Sequence, residues 1–365
     1  MWSDIFIAFM IAFLVSYVLT PYTVRLAKKV GALDNPKTSS RKIHKKITPR
    51  LGGIAIIAGL IASTTYLFVT MSIEKKINLF DDEKYIYKMV GIFLGTIVLG
   101  IFCFFDDTKG IKPYIKLLGQ MLATIIIIKS GIKIENIKVL ENLKYQQIIL
   151  NLITFIWIIG ITNAINLTDG LDGLAAGVCL IACLSLLIIF IINGSTIFSI
   201  ILIIALAGAI VGFMPYNMNP ARTFLGDTGS NFLGFMIAII SIMGSAKTYT
   251  ATTIIAPLLV LALPVFDTSF AIIRRIFKEK SLKAVFKADR GHLHHKLIDK
   301  GYTQKQAVFI LYGISATFGL FATIWIDSGI WKALSFALIA GAIIAIGYKD
   351  IFRVKNKTTY EGENK

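Results

Sequence analysis

Residues 148–193 read IILNLITFIWIIGITNAINLTDGLDGLAAGVCLIACLSLLIIFIIN. Two apolar runs, 148–162 and 173–193, enclose a short segment crowded with Asn163, Asn166, Thr168, Asp169 and Asp172. About 20 apolar residues cross a bilayer as a helix, so the pair reads as two spans joined at one membrane face. The alternation repeats in both directions. Further apolar stretches lie near 3–24, 51–71, 89–105, 114–130, 196–214, 229–246, 250–273, 304–326 and 330–348. The chain of 365 residues is 56% hydrophobic and only 16% charged, well short of the roughly 25% charge of soluble domains. Lipid leaves an isolated span no backbone partner outside its own helix. The expected fold is an all-α polytopic membrane protein of about 11 transmembrane helices. One membrane domain covers 1–348, followed by a polar tail over 349–365.

Lys and Arg orient the spans. Threading eleven of them puts 25–50, 106–116, 163–172, 215–228, 274–305 and 349–365 on one side, with 28 of the 38 basic residues. That side is read as cytoplasmic, with the N-terminus outside and the C-terminus inside. The net charge of +17 then belongs to one face, where anionic headgroups account for most of it. No nucleic acid is expected as a partner, because the cations are scattered among short loops. Only Met1–Ser3 and Asp4 precede the first span, without a basic leader, so it reads as retained rather than cleaved. Cys103, Cys179 and Cys183 fall inside spans and read as packing residues rather than a disulfide framework. The outer segment 130–147 alternates partly and predicts a small hairpin on the membrane.

Four polar segments meet the basic face. They are Arg41–Gly53 (RKIHKKITPRLGG), Phe105–Lys116 (FDDTKGIKPYIK), Asn163–Gly173 with Phe224–Ser230 (FLGDTGS), and Asp289–Lys296 (DRGHLHHK). Asp106 and Asp107 end a span, where acids oppose the helix dipole and are costly unless solvated, paired or metal-bound. Solvated helix-end acids are the plain alternative. One of the pair is placed to act as a general base or to hold a cation, with Lys116 near to meet a phosphate. Asn163–Gly173 is either an Asx-capped turn or a ligand loop whose Gly170 and Gly173 let the backbone come close. Its spacing is not that of a Ca²⁺ loop. Thr228 and Ser230 suit helix N-caps, and the same helix start suits phosphate. Asp227 there is placed to ligate Mg²⁺ on a pyrophosphate. His292, His294 and His295, flanked by Arg290 and Lys296, fit an anion better than Zn²⁺. The basic run through Arg50 is by default a topology signal, although Pro49, Gly52 and Gly53 suggest a close-packed start to the second span.

In this order the segments resemble the polyprenyl-phosphate N-acetylhexosamine-1-phosphate transferase family. The resemblance rests on PRLGG at 49–53, FDD at 105–107, NAINLTDGLDGLAAG at 163–177, GDTGS at 226–230 and HLHHKL at 292–297, and it covers about residues 10–345. PRLGG with HLHHKL is similar to the branch that starts teichoic acid, O-antigen or enterobacterial-type glycans. The peptidoglycan branch usually carries a PTMGG-like run and an HHH-type motif instead. The resemblance implies transfer of GlcNAc-1-phosphate from UDP-GlcNAc to undecaprenyl phosphate, with release of UMP, at the bacterial cytoplasmic membrane. Such chemistry needs charge neutralisation more than covalent help.

The resemblance also implies residue roles. Asp227 and Asn166 would hold Mg²⁺, or Mn²⁺ in its place, with Asn163 and Asp169 supporting them. Asp106 and Asp107 would position or deprotonate the lipid phosphate, and Lys116 would meet phosphate oxygens. Asp172 and Phe224 would lie at the uridine. His292, His294 and Arg290 would bind the diphosphate, and His44 and Arg50 are further binding candidates. Direct attack by the lipid phosphate is favoured over a covalent aspartyl intermediate, and a homodimer is left open. The main alternative keeps the chemistry and changes the sugar to MurNAc-pentapeptide or GalNAc. A transporter would place ionisable residues at mid-membrane. Here the nearest is Asp267, after Pro264 and close to Arg274 at the basic face.

Overall fold

The computed structural model describes residues 2–36, 46–74, 83–137, 140, 143–245, 251–281 and 291–341. In chain order its elements are α1 (Trp2–Val30), β1 (Leu33–Asp34), β2 (Thr48–Pro49), α2 (Gly53–Ile73), α3 (Glu83–Lys109), α4 (Pro113–Lys129) and α5 (Gln146–Thr168). They continue with α6 (Leu174–Ile192), α7 (Ile197–Asn217), α8 (Gly226–Ser245), α9 (Ala251–Val260), α10 (Ala262–Glu279), α11 (Leu293–Asp299) and α12 (Gln304–Ser328). A last helix, α13, covers Ile330–Gly341. The protein is an all-α polytopic membrane protein. Among the described residues, eight helices are long and apolar enough to cross a bilayer: α1, α2, α3, α5, α6, α7, α8 and α12.

Three expected spans differ in detail. The α4 helix is apolar but only 17 residues long, and α13 is shorter still. The expected span 250–273 is not one helix but two, α9 and α10, which break at Leu261. Pro264 has no N–H to offer the Val260 carbonyl, so the ladder loses a bond there, although Leu261 N still reaches Pro257 O and Val265 N reaches Leu261 O. The expected hairpin is corrected as well: among the described residues of 130–147 there is no strand. That segment is pinned inward by Ile132, 1% exposed, and by Ile134 N donating to Thr154 Oγ1 at 3.0 Å. A short ladder pairs β1 with β2 antiparallel, Leu33 opposite Pro49 and Asp34 opposite Thr48.

Lipid is as apolar as leucine, so hydrophobicity does not sort helices here; close packing and polar pairs do. The helix α8 shows this. It has the lowest mean hydropathy of the eight spans, 1.2, yet is 94% buried, whereas α6 has 3.0 and is 56% buried. It lies at the centre of the bundle against α2, α3, α5, α6 and α7. Gly53 and Gly229 cross with almost no separation, and a Cβ on either would overlap the other's backbone. This crossing locks the start of α2 to the start of α8. The C-terminal ends of α3, α5 and α7 arrive at the same level, so the described parts of the polar segments share one end of the bundle.

Candidate active site

The beginning of α8 is built by neighbours rather than by its own cap. Pro49 O accepts from Phe224 N at 2.8 Å and from Thr223 Oγ1 at 3.0 Å. Gly52 N and Gly53 N return bonds to Phe224 O and Leu225 O, each at 3.0 Å. The PRLGG run is thus a backbone template for the loop that enters α8. Gly226 then turns with φ +71, and a Cβ there would strike Arg50 O and the Asp107 carboxylate.

Asp107, 1% exposed, closes this turn from α3. Its Oδ1 accepts from Asp227 N at 2.9 Å. Its Oδ2 accepts from Thr228 N at 2.8 Å and Thr228 Oγ1 at 2.7 Å. A carboxylate at free helix N–H groups is favoured by both the bonds and the dipole. Arg50 braces the same corner, with Nε and Nη2 donating to Asp107 O at 3.2 and 3.1 Å. Three of the carboxylate's acceptor positions are thus taken up by α8.

Asp106, one residue earlier, points elsewhere. Its Oδ2 lies 3.0 Å from Lys116 Nζ, and its Oδ1 accepts from Ile111 N at 3.0 Å. Lys116 Nζ also lies 2.6 Å from Asp227 Oδ1. Asn166 completes the cluster from α5. Its Oδ1 accepts from Lys116 Nζ at 3.3 Å, while its Nδ2 donates to Asp227 Oδ1 at 3.0 Å and Ser230 Oγ at 2.8 Å. Ser230 passes its own proton to Gly226 O at 2.9 Å. The reversed amide would aim oxygen at a carboxylate and nitrogen at an ammonium. Four helices thus deliver Asp106, Lys116, Asn166 and Asp227 to one point. Asp169 stands beside them, half-buried in the turn after α5. Burial, and then the charges of Asp227 and Asp107, push its carboxyl up to about 8.

The histidine motif packs on the opposite side of this turn. His294 fills the space that a side chain on residue 170 would take, so Gly170 is required there. His292 Nδ1 meets Asp267 Oδ2 at 2.8 Å, and its Nε2 meets Arg275 Nη2 at 3.3 Å. A carboxylate only accepts and a guanidinium only donates, so Nδ1 carries the hydrogen and the ring is neutral. Asp267 Oδ1 also accepts from Leu293 N at 2.8 Å, which holds the start of α11. The rings of His292 and His294 are 4% and 3% exposed. Burial and the adjacent His295 and His292 push His294 down to about 3, so it too is neutral near pH 7.

Asp172 is set apart from the charged cluster. Its Oδ2 accepts from Asn219 Nδ2 at 2.9 Å and Ala221 N at 3.0 Å. It borders a cavity of about 190 Å³ with Asn219, Lys305, Phe309 and Tyr312. Phe224 is half-buried in the loop before α8. An apolar groove of about 500 Å³ runs between α2 and α3, from Ile61 and Phe93 to Phe105 and Thr228. Thr228 at its head is the residue bonded to Asp107. His44 and Arg290 lie outside the described residues. Among the described residues, no group of three His, Cys, Asp or Glu converges as a metal cage.

Residues 89–245, from α3 to α8, match the model of glycosyl transferase family 4. A "Probable undecaprenyl-phosphate N-acetylglucosaminyl 1-phosphate transferase" of Bacillus subtilis is 37% identical over 333 residues, covering 90% of this chain and 87% of the relative. The chain belongs to glycosyl transferase family 4. More distant similarity extends to a decaprenyl-phosphate N-acetylglucosaminephosphotransferase of Mycolicibacterium smegmatis, 29% identical over 360 residues, with 92% and 84% covered. It also extends to a phospho-N-acetylmuramoyl-pentapeptide-transferase of a Geobacillus species, 28% identical over 344 residues, with 88% and 98% covered. The family match contains Asp106, Lys116, Asn166 and Asp227, while the PRLGG run and the histidine motif lie outside its limits.

Several residues that bond to these side chains do not stand out in the sequence alone. In the sequence Thr228 and Ser230 read as helix caps, and Asp267 only as the ionisable residue nearest mid-membrane. Gln120 and Asn231 were not singled out at all. A lone amide in an apolar run looks tolerated. The available signal was that each lies one helical turn from a charged site residue.

Proposed function

We propose that the protein transfers GlcNAc-1-phosphate from UDP-GlcNAc to undecaprenyl phosphate, releasing UMP and leaving undecaprenyl-diphosphate-GlcNAc. The observation that carries this reading is the convergence of Asp106, Asp227 and Asn166 oxygens on Lys116 Nζ, at 3.0, 2.6 and 3.3 Å. One ammonium among hard oxygen donors, at the start of a helix, suits a diphosphate and its counter-cation. These oxygens fit Mg²⁺ or Mn²⁺ by donor type, and Asp227 with Asn166 would hold it, Asp106 being the further oxygen donor. Bound there, the cation neutralises phosphate charge during phosphoryl transfer.

In the reaction, an oxygen of the lipid phosphate attacks the sugar-bearing phosphorus of UDP-GlcNAc. The bond between the two phosphates breaks, and UMP leaves with its electron pair. Lys116 contacts phosphate oxygens and stabilises the charge as it shifts. Asp106 orients Lys116 and stands nearest to receive any proton on the acceptor. Asp107 acts indirectly, by fixing the start of α8 and with it Asp227. Asp172 and Phe224 flank the uridine, with Asn163 and Asp169 backing the cluster. His292 and His294 would meet the diphosphate as neutral groups, with Arg50, Arg290 and His44 as further binding candidates. The apolar groove ending at Thr228 suits an acceptor whose chain stays in the bilayer. The positive charge of the loops supports an orientation with this end at the cytoplasmic face of the membrane, where UDP-sugars are made.

The sugar is assigned from the 37% identical relative and from the HLHHKL motif. The test is UMP release by detergent-purified protein with undecaprenyl phosphate and Mg²⁺, offering UDP-GlcNAc and UDP-MurNAc-pentapeptide separately. UMP from UDP-GlcNAc alone, lost with EDTA, is expected. UMP from the pentapeptide substrate alone would move the protein to the other branch of the family.

A further inference from the structure

A second tier of side chains lies directly beneath the charged cluster, deeper in the membrane. Gln120 is one turn below Lys116 on α4, Asn231 one turn below Asp227 on α8, and Asn163 one turn below Asn166 on α5. These three amides bond chiefly to one another. Gln120 Nε2 donates to Asn231 Oδ1 at 2.7 Å and to Asn163 Oδ1 at 3.3 Å. Asn163 Nδ2 returns a bond to Gln120 Oε1 at 2.8 Å and another to Ile159 O at 2.9 Å. Asn231 Nδ2 reaches upward, to Asp227 O at 2.8 Å and toward Asp227 Oδ1 at 3.5 Å. Gln120 and Asn231 are 1% and 0% exposed.

We propose that Gln120 and Asn231, with Asn163, form a positioning layer that fixes the spacing of Lys116, Asn166 and Asp227 and so sets the affinity of the site for a divalent cation. This rests on the cation-holding role given above to Asp227 and Asn166. Side-chain hydrogen bonds between spans add little net stability, because the alternatives in lipid also find partners. Leucine at these depths would pack as well. Amides differ from leucine in direction: each donor and acceptor fixes one helix's rotation against the next. Charged residues would do the same at much higher cost in a span. Each of the three amides stands beneath one member of the cluster, on the same three helices, so any slip of α4 against α8 or α5 breaks this layer as it separates the charged one.

The test uses full-length Gln120→Leu and the double variant Gln120→Leu with Asn231→Leu. Mn²⁺ binding is read by electron paramagnetic resonance without substrates, alongside thermal unfolding and the Mg²⁺ dependence of UMP release. Gln120→Leu should weaken Mn²⁺ at least tenfold and raise the Mg²⁺ needed for half-maximal turnover by a similar factor. The double variant leaves no orphaned amide between α4 and α8, so it should regain thermal stability lost in the single variant yet keep the weak Mn²⁺ binding. A purely structural layer would move the two readouts together. Wild-type Mn²⁺ affinity in both variants, or no Mn²⁺ binding by the parent protein, would overturn the proposal. A parent that binds Mn²⁺ but releases no UMP, with weakened binding in Gln120→Leu, would sink the reaction assigned above and leave the layer standing.

Discussion

Asp107→Asn separates an anchor from a base. The carboxylate accepts three hydrogen bonds from Asp227 N, Thr228 N and Thr228 Oγ1 at 2.9, 2.8 and 2.7 Å. An amide keeps one oxygen. Turned toward Thr228, it retains two of the three bonds in weaker, neutral form. Its NH₂ then faces Asp227 N–H, donor against donor, with no water at 1% exposure. Losing a bond to a charge and stranding its donor costs roughly 3 kcal/mol. Loss of the negative charge at the start of α8 adds about 0.3–1 kcal/mol. If α8 must regain its native start before transfer, turnover falls roughly 200- to 700-fold, at tenfold for each ~1.4 kcal/mol. The assay is UMP release across a Mg²⁺ series, with thermal unfolding of the same preparation. The anchor reading requires a lower melting temperature and a raised Mg²⁺ requirement together with the lost rate. A variant with parental stability and Mg²⁺ dependence but no turnover would refute the reasoning and return Asp107 to the role of base.

Lys116→Met should lower kcat by at least 100-fold without weakening Mn²⁺ binding, since it removes the cation that competes for Asp227 and Asp106; a matching loss of Mn²⁺ would show that Lys116 organises the site instead. Asp267→Ala should remove the partner of His292 Nδ1 and of Leu293 N, costing about 2–3 kcal/mol and most of the turnover, with Asp267→Asn retaining part of both in parallel unfolding and rate measurements. Asp169 has its folded value raised to about 8 above an ordinary value near ~3.9. Its neutral form therefore stabilises the protein below about pH 4, and that contribution is lost as pH rises through 8. Metal-free Asp169→Asn should accordingly show a flatter decline of melting temperature across that window, and an unchanged slope would contradict the burial of Asp169. Gly53→Val should prevent α2 from meeting α8 at Gly229, and is expected to yield little folded protein by size-exclusion chromatography.

Most of the helices were legible in the sequence, because a bilayer demands long apolar runs and this chain supplies them between short polar ones. The break at Leu261 was harder to see, since 250–273 is apolar throughout and only Pro257 and Pro264 mark the interruption. The β1–β2 ladder is two residues long on each side and carries no periodic signal. At the site, residue types and spacing pointed to the Asp106-Asp107 pair, Lys116 and Asp227, the family resemblance added Asn166, and Asp106, Lys116, Asn166 and Asp227 do converge. The division of labour within Asp106-Asp107 was not legible. Adjacent helical residues point about 100° apart, and only the packed position of α8 decides which one it covers. The pairing of His292 with Asp267 spans 25 residues, and Asp267 alone reads only as an ionisable residue near the basic face. Hydropathy did carry one unused signal, because a span as weakly apolar as α8 survives in a membrane only when its neighbours shield it.

The central claim is that this cluster breaks the bond between the two phosphates of a UDP-sugar and passes the sugar-bearing one to a lipid. UDP-GlcNAc labelled with ³²P in the phosphate next to the sugar tests it most directly, with purified protein, undecaprenyl phosphate and Mg²⁺. All label should move to the lipid fraction, one equivalent for each UMP formed, and Asp227→Ala should abolish the transfer. Label that stays water-soluble while UMP appears would mean hydrolysis rather than transfer, and label that stays in UDP would contradict the cleavage itself.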